Sequence, residues 1–396
     1  RSEMGQGVRS SLPVLVADEL GADMARVKIV QADGDPAYGD QNTDGSRSVR
    51  AAYDELRRVG AVARMMLIAA AAKRWRVAES SCDTRDGTVV HEPTGRSLRF
   101  GELANEAAKL PLPDPKRIVL RPAGRLKYVG KELPLLDGPD MVTGRAVFGA
   151  DVKLPGMLTA VVARPPVVGG KVKSYDPKRA LAVPGVRRVV ELPAAKRPFG
   201  FRPVGGLAVV ADNTWAAMRG RAALDVTWDA GDNAGYDSAA YKSELMRALG
   251  APGRAWRNRG DVERALDASK RRVAATYYVP HLAHASMEPP CAIARFDGNK
   301  CEIWATTQNP QSAKKEVVAA LALDPNDVTV HVTFLGGGFG RKSKPDYVVE
   351  AALVAREMRA PVRLQWTRED DVRHDYYHSV SAQELVAGID GDGKVV

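Results

Sequence analysis

Phe334-Leu-Gly-Gly-Gly-Phe-Gly-Arg341 is the most informative segment of this sequence. It continues the apolar, alternating run Val328–Leu335, which predicts a β-strand. Three consecutive glycines at the end of a strand weaken the fold unless the backbone there must approach another group closely. The segment therefore predicts a functional loop.

Two well-known phosphate-binding motifs do not fit this glycine run. A P-loop that began at Gly336 would need a glycine at position 341, where Arg341 stands. The dinucleotide fingerprint of a Rossmann fold would need a glycine at the same position. The loop must therefore bind a different kind of group.

Three other segments share one design, a loop rich in Gly, Ser or Asn that leads into a helix: Met4-Gly-Gln-Gly7, Thr43-Asp-Gly-Ser-Arg-Ser48 and Gln308-Asn-Pro310. A helix N-terminus presents free N–H groups and the positive end of the helix dipole, so it binds phosphates and other oxyanions. Each loop alone also has a simpler interpretation. Gly5 and Gly7 suit a tight turn, Ser46 or Ser48 an ordinary N-cap, and Gln308 an exposed strand end.

The composition is that of a folded, globular protein with room for two or three domains. Of the 396 residues, 45% are hydrophobic and 27% are charged. The net charge of +10 favours anionic ligands or partners. Aromatic residues make up only 6% and do not alternate with a basic stripe, which argues against nucleic acid as the partner.

The sequence predicts no metal site built from side chains. The three cysteines, Cys82, Cys291 and Cys301, form no CxxC pair, so we expect neither a zinc site nor an iron–sulfur cluster in this chain, and we expect the thiols to be buried. The spaced pairs His281/His284 and His374/His378 would need further ligands, and structural or exposed roles suit them better.

The order of predicted elements indicates a mixed fold that combines α+β and α/β parts. We expect four segments: 1–112, a Pro-rich linker at 113–129, 130–234 and 235–396. In the first segment, Val27–Gln31 reads as a strand and Ala51–Trp75 as an Ala-rich helix interrupted by Gly60. The chain opens without an initiator Met and stops inside a strand-like stretch, so we expect a fragment of a longer protein.

At these loops the sequence resembles the large subunit of the xanthine dehydrogenase/aldehyde oxidase family. The resemblance rests on five motifs: Met4-Gly-Gln-Gly-Val8, Gly45-Ser-Arg-Ser-Val-Arg50, Met287-Glu-Pro289, Thr307-Gln-Asn-Pro310 and Phe334–Arg341. In xanthine dehydrogenase the first motif follows the last one, whereas here it precedes it, as in the branch that contains the isoquinoline 1-oxidoreductase β-subunit. The segments Phe148–Leu158 and Ala211–Ala217 are similar to the α/β hammerhead domain of the family.

The resemblance implies a molybdenum ion held by a pyranopterin dithiolene, as the cytosine dinucleotide, with no metal ligand from the protein. Gln308 matches the glutamine that hydrogen-bonds the metal centre, and Phe339 and Gly340 match the loop that approaches the same centre. The remaining matches concern the pterin, the phosphates and the dinucleotide, and they are Gly5, Gln6, Thr43, Gly45, Ser46, Ser48, Gly338 and Arg341.

The implied reaction hydroxylates an N-heterocycle, or oxidises an aldehyde, with water as the oxygen source. Electrons would leave through [2Fe–2S] clusters of a small partner subunit, with a cytochrome c as a candidate acceptor. The branch suggests a periplasmic or membrane-associated bacterial enzyme, and a cytoplasmic one is the alternative. Two other classes stay open: a cofactor-free structural or assembly subunit with this fold, and a basic nucleic-acid-binding protein.

Three features depart from the family pattern. Asp44 replaces a glycine and would place a negative charge beside an anionic cofactor. Ser343 stands where purine-oxidising relatives carry a substrate-binding Glu, which argues against xanthine as the substrate. The general-base Glu of the family belongs to a segment expected after Val396, and neither Glu288 nor Glu350 matches its motif.

Overall fold

The computed structural model describes residues 1–396 and contains eleven α-helices and fourteen β-strands. The helices are α1 Val8–Leu20, α2 Arg47–Trp75, α3 Phe100–Ala107, α4 Gly138–Val142, α5 Lys178–Leu181, α6 Thr214–Ala223, α7 Ser238–Ala248, α8 Val262–Ala268, α9 Pro310–Leu321, α10 Asp346–Met358 and α11 Arg368–Arg373. The strands are β1 Cys82–Arg85, β2 Thr88–His91, β3 Ser97–Arg99, β4 Leu158–Ala163, β5 Lys171–Asp176, β6 Val186–Leu192, β7 Gly206–Ala211, β8 Asp225–Asp229, β9 Arg271–Val279, β10 Cys291–Asp297, β11 Lys300–Ala305, β12 Val328–Val332, β13 Val362–Gln365 and β14 Ser381–Ile389.

A seven-stranded mixed sheet organises the molecule, with strand order β12-β11-β10-β13-β4-β7-β6. Its first four strands belong to the expected segment 235–396 and its last three to the expected segment 130–234. The two groups join where β13 pairs with β4 in parallel, with Leu364 opposite Ala160. These two segments therefore share one sheet and do not fold around separate cores. The division into four segments stays a prediction.

The central strands are apolar throughout because helices cover both faces of the sheet. In β4, Ala160 and Val162 pack into the main core with residues of α9 and α10, whereas Val161 faces a smaller core with Ala216 and Ala217 of α6. This alternation follows from the strand period of two. All six residues of β7 are buried.

Helices α1 and α2 pack tightly against each other at Gly60. The expected interruption of α2 at this glycine is wrong, since the helix is continuous. A Cβ on Gly60 would lie 2.8 Å from both the Val16 carbonyl oxygen and the Glu19 Cβ, so the missing side chain permits the close approach of α1. The gain in packing offsets the poor helix propensity of glycine.

The expected linker is held against α1 by two buried carboxylates. Asp18 accepts hydrogen bonds from the backbone N–H groups of Lys127, Tyr128 and Val129. Glu19 accepts one from the N–H of Arg121 at 2.9 Å. The segment is therefore a fixed part of the N-terminal unit and not a free spacer.

Two further sequence expectations can be compared with the structure. Residues 27–31 form no strand, so that prediction is wrong; they find no neighbouring strand, and Val30 is exposed. All three cysteines are buried, as expected, and burial raises the pKa of Cys291 and of Cys301 to about 12.

A buried charge network fixes the junction between the sheet and its helices. Arg164, at the end of β4, forms an ion pair with Glu350 of α10 and stacks over the Trp366 ring at 3.8 Å. The Trp366 indole also donates to Glu350 at 3.0 Å. Burial raises the pKa of the Glu350 carboxyl, and the adjacent guanidinium opposes that effect. The network connects three elements of the core.

Removing one partner of this network should destabilise the fold strongly. We expect Glu350→Ala to lower the free energy of unfolding by about 3–5 kcal/mol, because it leaves the Arg164 charge buried and unpaired. Glu357→Ala, on the same helix but in an exposed pair with Arg188, should cost less than about 1 kcal/mol. Denaturant melts of both variants measure the difference, and equal losses would contradict the assignment.

His374 should make the stability depend on pH. Burial, with the positive charge of Arg164, lowers the pKa of His374 to about 4, whereas an unfolded histidine titrates near about 6.5. The unfolded state therefore binds more protons between these values, so this contribution falls as the pH falls through that window, by up to about 1.4 kcal/mol per pH unit. When the pH is lowered from about 7 to about 5, the calorimetric Tm should fall less in His374→Gln than in His378→Gln, the exposed control.

Candidate functional site

The separate loops of the sequence analysis meet at one cleft with a volume of about 380 Å³. It is lined by the N-terminal loop, the loop before α2, the end of β11 and the loop after β12. The predicted residues that line it are Gln6, Thr43, Gly45, Ser46, Ser48, Gln308, Phe339 and Gly340. Gly5 and Gly338 lie in the same loops without lining it. The fold thus brings most of the predicted site residues together.

Gln308 holds three of these loops in place. Its side-chain amide donates to the Thr43 carbonyl oxygen at 2.6 Å and accepts from the Gly340 N–H at 3.0 Å. Its backbone carbonyl accepts from the Thr43 N–H at 3.0 Å, and its N–H donates to the Lys342 carbonyl oxygen at 2.9 Å. The residue is 1% exposed, which excludes the alternative of an exposed strand end.

The glycine run is required by close packing within the chain. A Cβ on Gly338 would lie 2.5 Å from Gln308 Oε1 and 2.7 Å from Met4 Sδ. Phe339 adopts a φ of 53°, which is rare for a residue with a side chain. The N–H groups of Gly338 and Phe339 donate to no atom of the chain. The loop therefore leaves two backbone donors without an acceptor in the chain.

Glu288, in the Met-Glu-Pro motif, secures the start of the same loop. Its carboxylate accepts from the Gly336 N–H at 2.9 Å and from the Gly149 N–H at 3.1 Å. The buried Lys342 ammonium pairs with it at 2.9 Å, and burial lowers the pKa of Lys342. Because its oxygens are committed in this way, Glu288 is a structural acceptor.

The N-terminal loop is closed by an acid that the sequence analysis missed. Glu3 is 4% exposed, and its carboxylate accepts from the N–H groups of Gly5, Gly7 and Arg9 at 2.9, 2.9 and 3.0 Å. The oxyanion at the start of α1 is therefore the chain's own side chain. Gln6 lines the cleft, but its amide also binds the backbone of its own loop. An acid beside a Gly-x-Gly turn was the available signal.

The start of α2 offers the donors that α1 lacks. The hydroxyls of Ser46 and Ser48 have no hydrogen-bond partner, and the N–H groups of Ser48 and Val49 donate to no atom of the chain. Ser46 has a φ of 53° and caps nothing with its side chain, so the ordinary N-cap interpretation does not describe it. These groups face the cleft from a helix of 29 residues.

The departure at Asp44 is compensated locally. Its carboxylate pairs with Arg47 at 2.6 Å and accepts from the Asn42 side-chain amide at 2.9 Å. Thr43, beside it, uses its hydroxyl to accept from the Ser2 N–H at 2.8 Å. The acidic residue therefore adds little net charge to the cleft, whereas the Thr43 hydroxyl ties the two loops together.

Arg341 does not reach the cleft. Its guanidinium is fully buried and binds both oxygens of Asp346, at 2.9 and 2.8 Å, and lies 3.1 Å from Asp375. The prediction that this side chain binds the cofactor is not supported by its geometry, because ion pairs with the two carboxylates hold it inside the core. It fixes the exit of the glycine loop. Ser343 donates to the Gly340 carbonyl oxygen at 2.7 Å and strengthens the same turn.

Comparison with known proteins identifies the class. Two molybdopterin cofactor-binding domain families match the chain, one over residues 1–133 and the other over residues 248–396. The chain is 32% identical to the β-subunit of isoquinoline 1-oxidoreductase from Brevundimonas diminuta, over 98% of this chain and 54% of that protein. It is 29% identical to a nicotinate dehydrogenase subunit from Pseudomonas putida, over 99% of this chain and 33% of that protein.

The fold is similar to that of a solved relative. Quinoline 2-oxidoreductase from Pseudomonas putida 86 superposes with a TM-score of 0.51 at 21% identity, over 66% of this chain and 37% of that chain. The two matched domain families identify the chain as part of a molybdopterin cofactor-binding protein. The chain belongs to the xanthine dehydrogenase family of such subunits, and within that family it is similar to the isoquinoline 1-oxidoreductase β-subunit.

The chain matches only part of each of these relatives. The chain spans about half the length of the isoquinoline relative and a third of the nicotinate relative. None of its helices combines the length and the apolar character that crossing a bilayer requires.

Substitution of Gln308 should lower the stability of the fold as well as change the lining of the cleft. Gln308→Ala removes two buried hydrogen bonds and leaves the Gly340 N–H and the Thr43 carbonyl without these partners, so we expect a loss of about 1–3 kcal/mol in unfolding free energy. Gln383→Ala, which changes an exposed glutamine, should shift it by less than about 0.5 kcal/mol. Denaturant melts provide the comparison, and an unchanged midpoint for Gln308→Ala would contradict the bridging role.

Proposed function

We propose that this chain forms most of the cofactor cleft of a molybdenum hydroxylase, a subunit that hydroxylates an N-heterocycle or oxidises an aldehyde with water as the oxygen source. The carrying observation is the convergence of four loops on one cleft whose walls expose unpaired N–H and O–H donors. Such donors suit a ligand with many oxygen acceptors. The named relatives act on isoquinoline and nicotinate, both N-heterocycles.

The donor set fits a pterin carrying a dinucleotide. The start of α2 supplies free N–H groups, two serine hydroxyls and the positive end of a long helix dipole, which together suit a phosphate. We therefore place the cytosine dinucleotide end at Ser46 and Ser48. The N-terminal loop, whose N–H groups are already bound by Glu3, contributes the surface of Gln6 to the cleft wall instead.

The other end of the cleft suits the metal-bearing part of the cofactor. When bound, that group supplies oxidative hydroxylation chemistry and accepts the electrons that leave the substrate. The Phe339 N–H has no acceptor in the chain, and Gln308 holds the adjacent Gly340 by its N–H. The side chains of the chain thus orient the cofactor and shape the space in front of it, while none of them is a metal ligand.

The proposed reaction also needs a general base and a path for electrons. We assign no residue of this chain as the general base, and we assign the electron path to a small [2Fe–2S] partner subunit that passes electrons on to an acceptor such as a cytochrome c. We also propose that residues 130–234 are the α/β hammerhead domain, since nearly all of this segment lies outside the two matched domain families. The periplasmic or membrane-associated setting stays a prediction.

Metal and nucleotide analysis of the full-length protein tests the proposal. Protein made in a host that synthesises the cofactor should contain about one molybdenum per chain, and acid treatment should release a cytosine nucleotide. Absence of both would favour the cofactor-free structural subunit. Salt-sensitive retention on heparin together with oligonucleotide binding would favour the nucleic-acid-binding alternative.

The placement of the dinucleotide has its own test. Ser46→Ala/Ser48→Ala removes two donors, each worth about 1–3 kcal/mol toward a charged group, so the retained nucleotide should fall at least about tenfold after dialysis. Ser243→Ala, in an exposed helix away from the cleft, is the matched control. Equal nucleotide content in the two variants would rule out this end of the cleft as the phosphate site.

A further inference from the structure

The segment from His284 to Glu288 lies along the glycine loop and meets it at intervals. A Cβ on Gly336 would lie 2.6 Å from Glu288 Cβ, and one on Gly337 would lie 3.5 Å from Ser286 Cβ. A Cβ on Gly340 would lie 3.5 Å from the Nε2 atom of His284. The glycines therefore let this segment approach the loop. The His284 imidazole lies beside Gly340, which lines the cleft.

The orientation of the His284 ring is fixed by a buried carboxylate. Asp375, whose side chain is fully buried, accepts from His284 Nδ1 at 2.9 Å and also from the backbone N–H of His284. Asp375 in turn lies 3.1 Å from the guanidinium of Arg341, which keeps the carboxylate in place. Because Nδ1 is the donor in this pair, Nε2 of the neutral ring is an acceptor.

That acceptor has no partner in the protein. Nε2 of His284 makes no hydrogen bond within the chain, and the side chain is 23% exposed, so the atom is open to a ligand. The next residue, Ala285, has a φ of 46°, a strained conformation for a residue with a Cβ. Strain of this kind is found where a side chain is held in a particular position.

We propose that His284, oriented by Asp375, determines substrate specificity by accepting a hydrogen bond from an N–H group of the molecule bound beside Gly340. This inference rests on the proposed function. Hydroxylation of an N-heterocycle at the carbon next to its ring nitrogen takes its oxygen from water and passes two electrons to the bound cofactor. Two protons are released, and the lactam tautomer of the product carries its hydroxyl proton on the ring nitrogen. The hydrogen bond to His284 therefore forms as that nitrogen becomes an N–H donor. An aldehyde and its acid product have no N–H, so His284 favours heterocycles of the lactam-forming class.

Two matched substitutions separate this role from a merely structural one. His284→Asn keeps a donor at the position of Nδ1 for Asp375 and removes the atom at Nε2. His284→Gln keeps a polar group at the position of Nε2. The probes are 2-quinolone and N-methyl-2-quinolone, which differ in the N–H donor. Their dissociation constants are measured by calorimetry on the full-length protein, both with molybdenum and without it, so the readout does not depend on turnover.

The wild-type protein should prefer 2-quinolone over its N-methyl derivative by about tenfold more than His284→Asn does. His284→Gln should keep most of the preference. The steric effect of the methyl group is common to all three proteins and cancels in the comparison. The kcat/KM for a lactam-forming heterocycle should fall in His284→Asn, while that for an aromatic aldehyde changes less than about threefold.

The results that would overturn the role of His284 differ from those that would overturn the proposed function. An equal preference in the wild type and His284→Asn, in protein that contains molybdenum, overturns the role of His284 and leaves the proposed function standing. Wild-type protein that binds neither molybdenum nor 2-quinolone overturns both. An equal loss of kcat/KM for heterocycle and aldehyde in His284→Asn also overturns the specificity role.

Discussion

The side chain of Gln308 joins two backbone segments that lie far apart in the sequence, and the cleft depends on this link. One end of the amide donates to Thr43 and the other accepts from Gly340, so one residue sets the distance between the loop before α2 and the glycine loop. Burial makes the link rigid, since a displaced amide would leave unpaired polar groups in the interior. A residue expected to act on the cofactor is thus also the residue that assembles its binding site.

In the glycine loop, too, the same residues shape both the fold and the site. Gly336 and Gly338 lack side chains because Glu288 and Gln308 occupy that space, and in the resulting conformation the N–H groups of Gly338 and Phe339 have no acceptor in the chain. The packing inside the protein and the presentation of donors to a ligand are therefore two effects of one constraint. Arg341 completes the arrangement from within the core, where two carboxylates hold it. A substitution in this loop will disturb the fold and the site together.

The sequence predicted the loops and the family, because these depend on local residue types and short spacings. It also predicted β12 and most of α2 from their residue patterns. Features that depend on contacts between residues far apart in the sequence could not be predicted from it. The uninterrupted helix at Gly60 requires α1 as a neighbour, and one of the buried ion pairs of Arg341 requires Asp375. Glu3 was overlooked because its three hydrogen bonds appear only when the N-terminal loop curls around it. The sheet shared by 130–234 and 235–396 likewise follows from the pairing of β13 with β4 and from no local signal.

The N-terminal loops reach the cleft by contact and not by chain continuity, since Ser2, Thr43 and the glycine loop are joined through side chains and single backbone hydrogen bonds. The linear order of the motifs therefore carries little geometric information. A gene rearrangement that moved residues 1–133 to the other end of the polypeptide could preserve the same cleft, provided that the new connection spans the distance. This makes the two motif orders of the family understandable as permutations of one assembly. It also implies that the N-terminal and C-terminal parts, expressed as separate polypeptides, could recombine into a split protein with the same cleft.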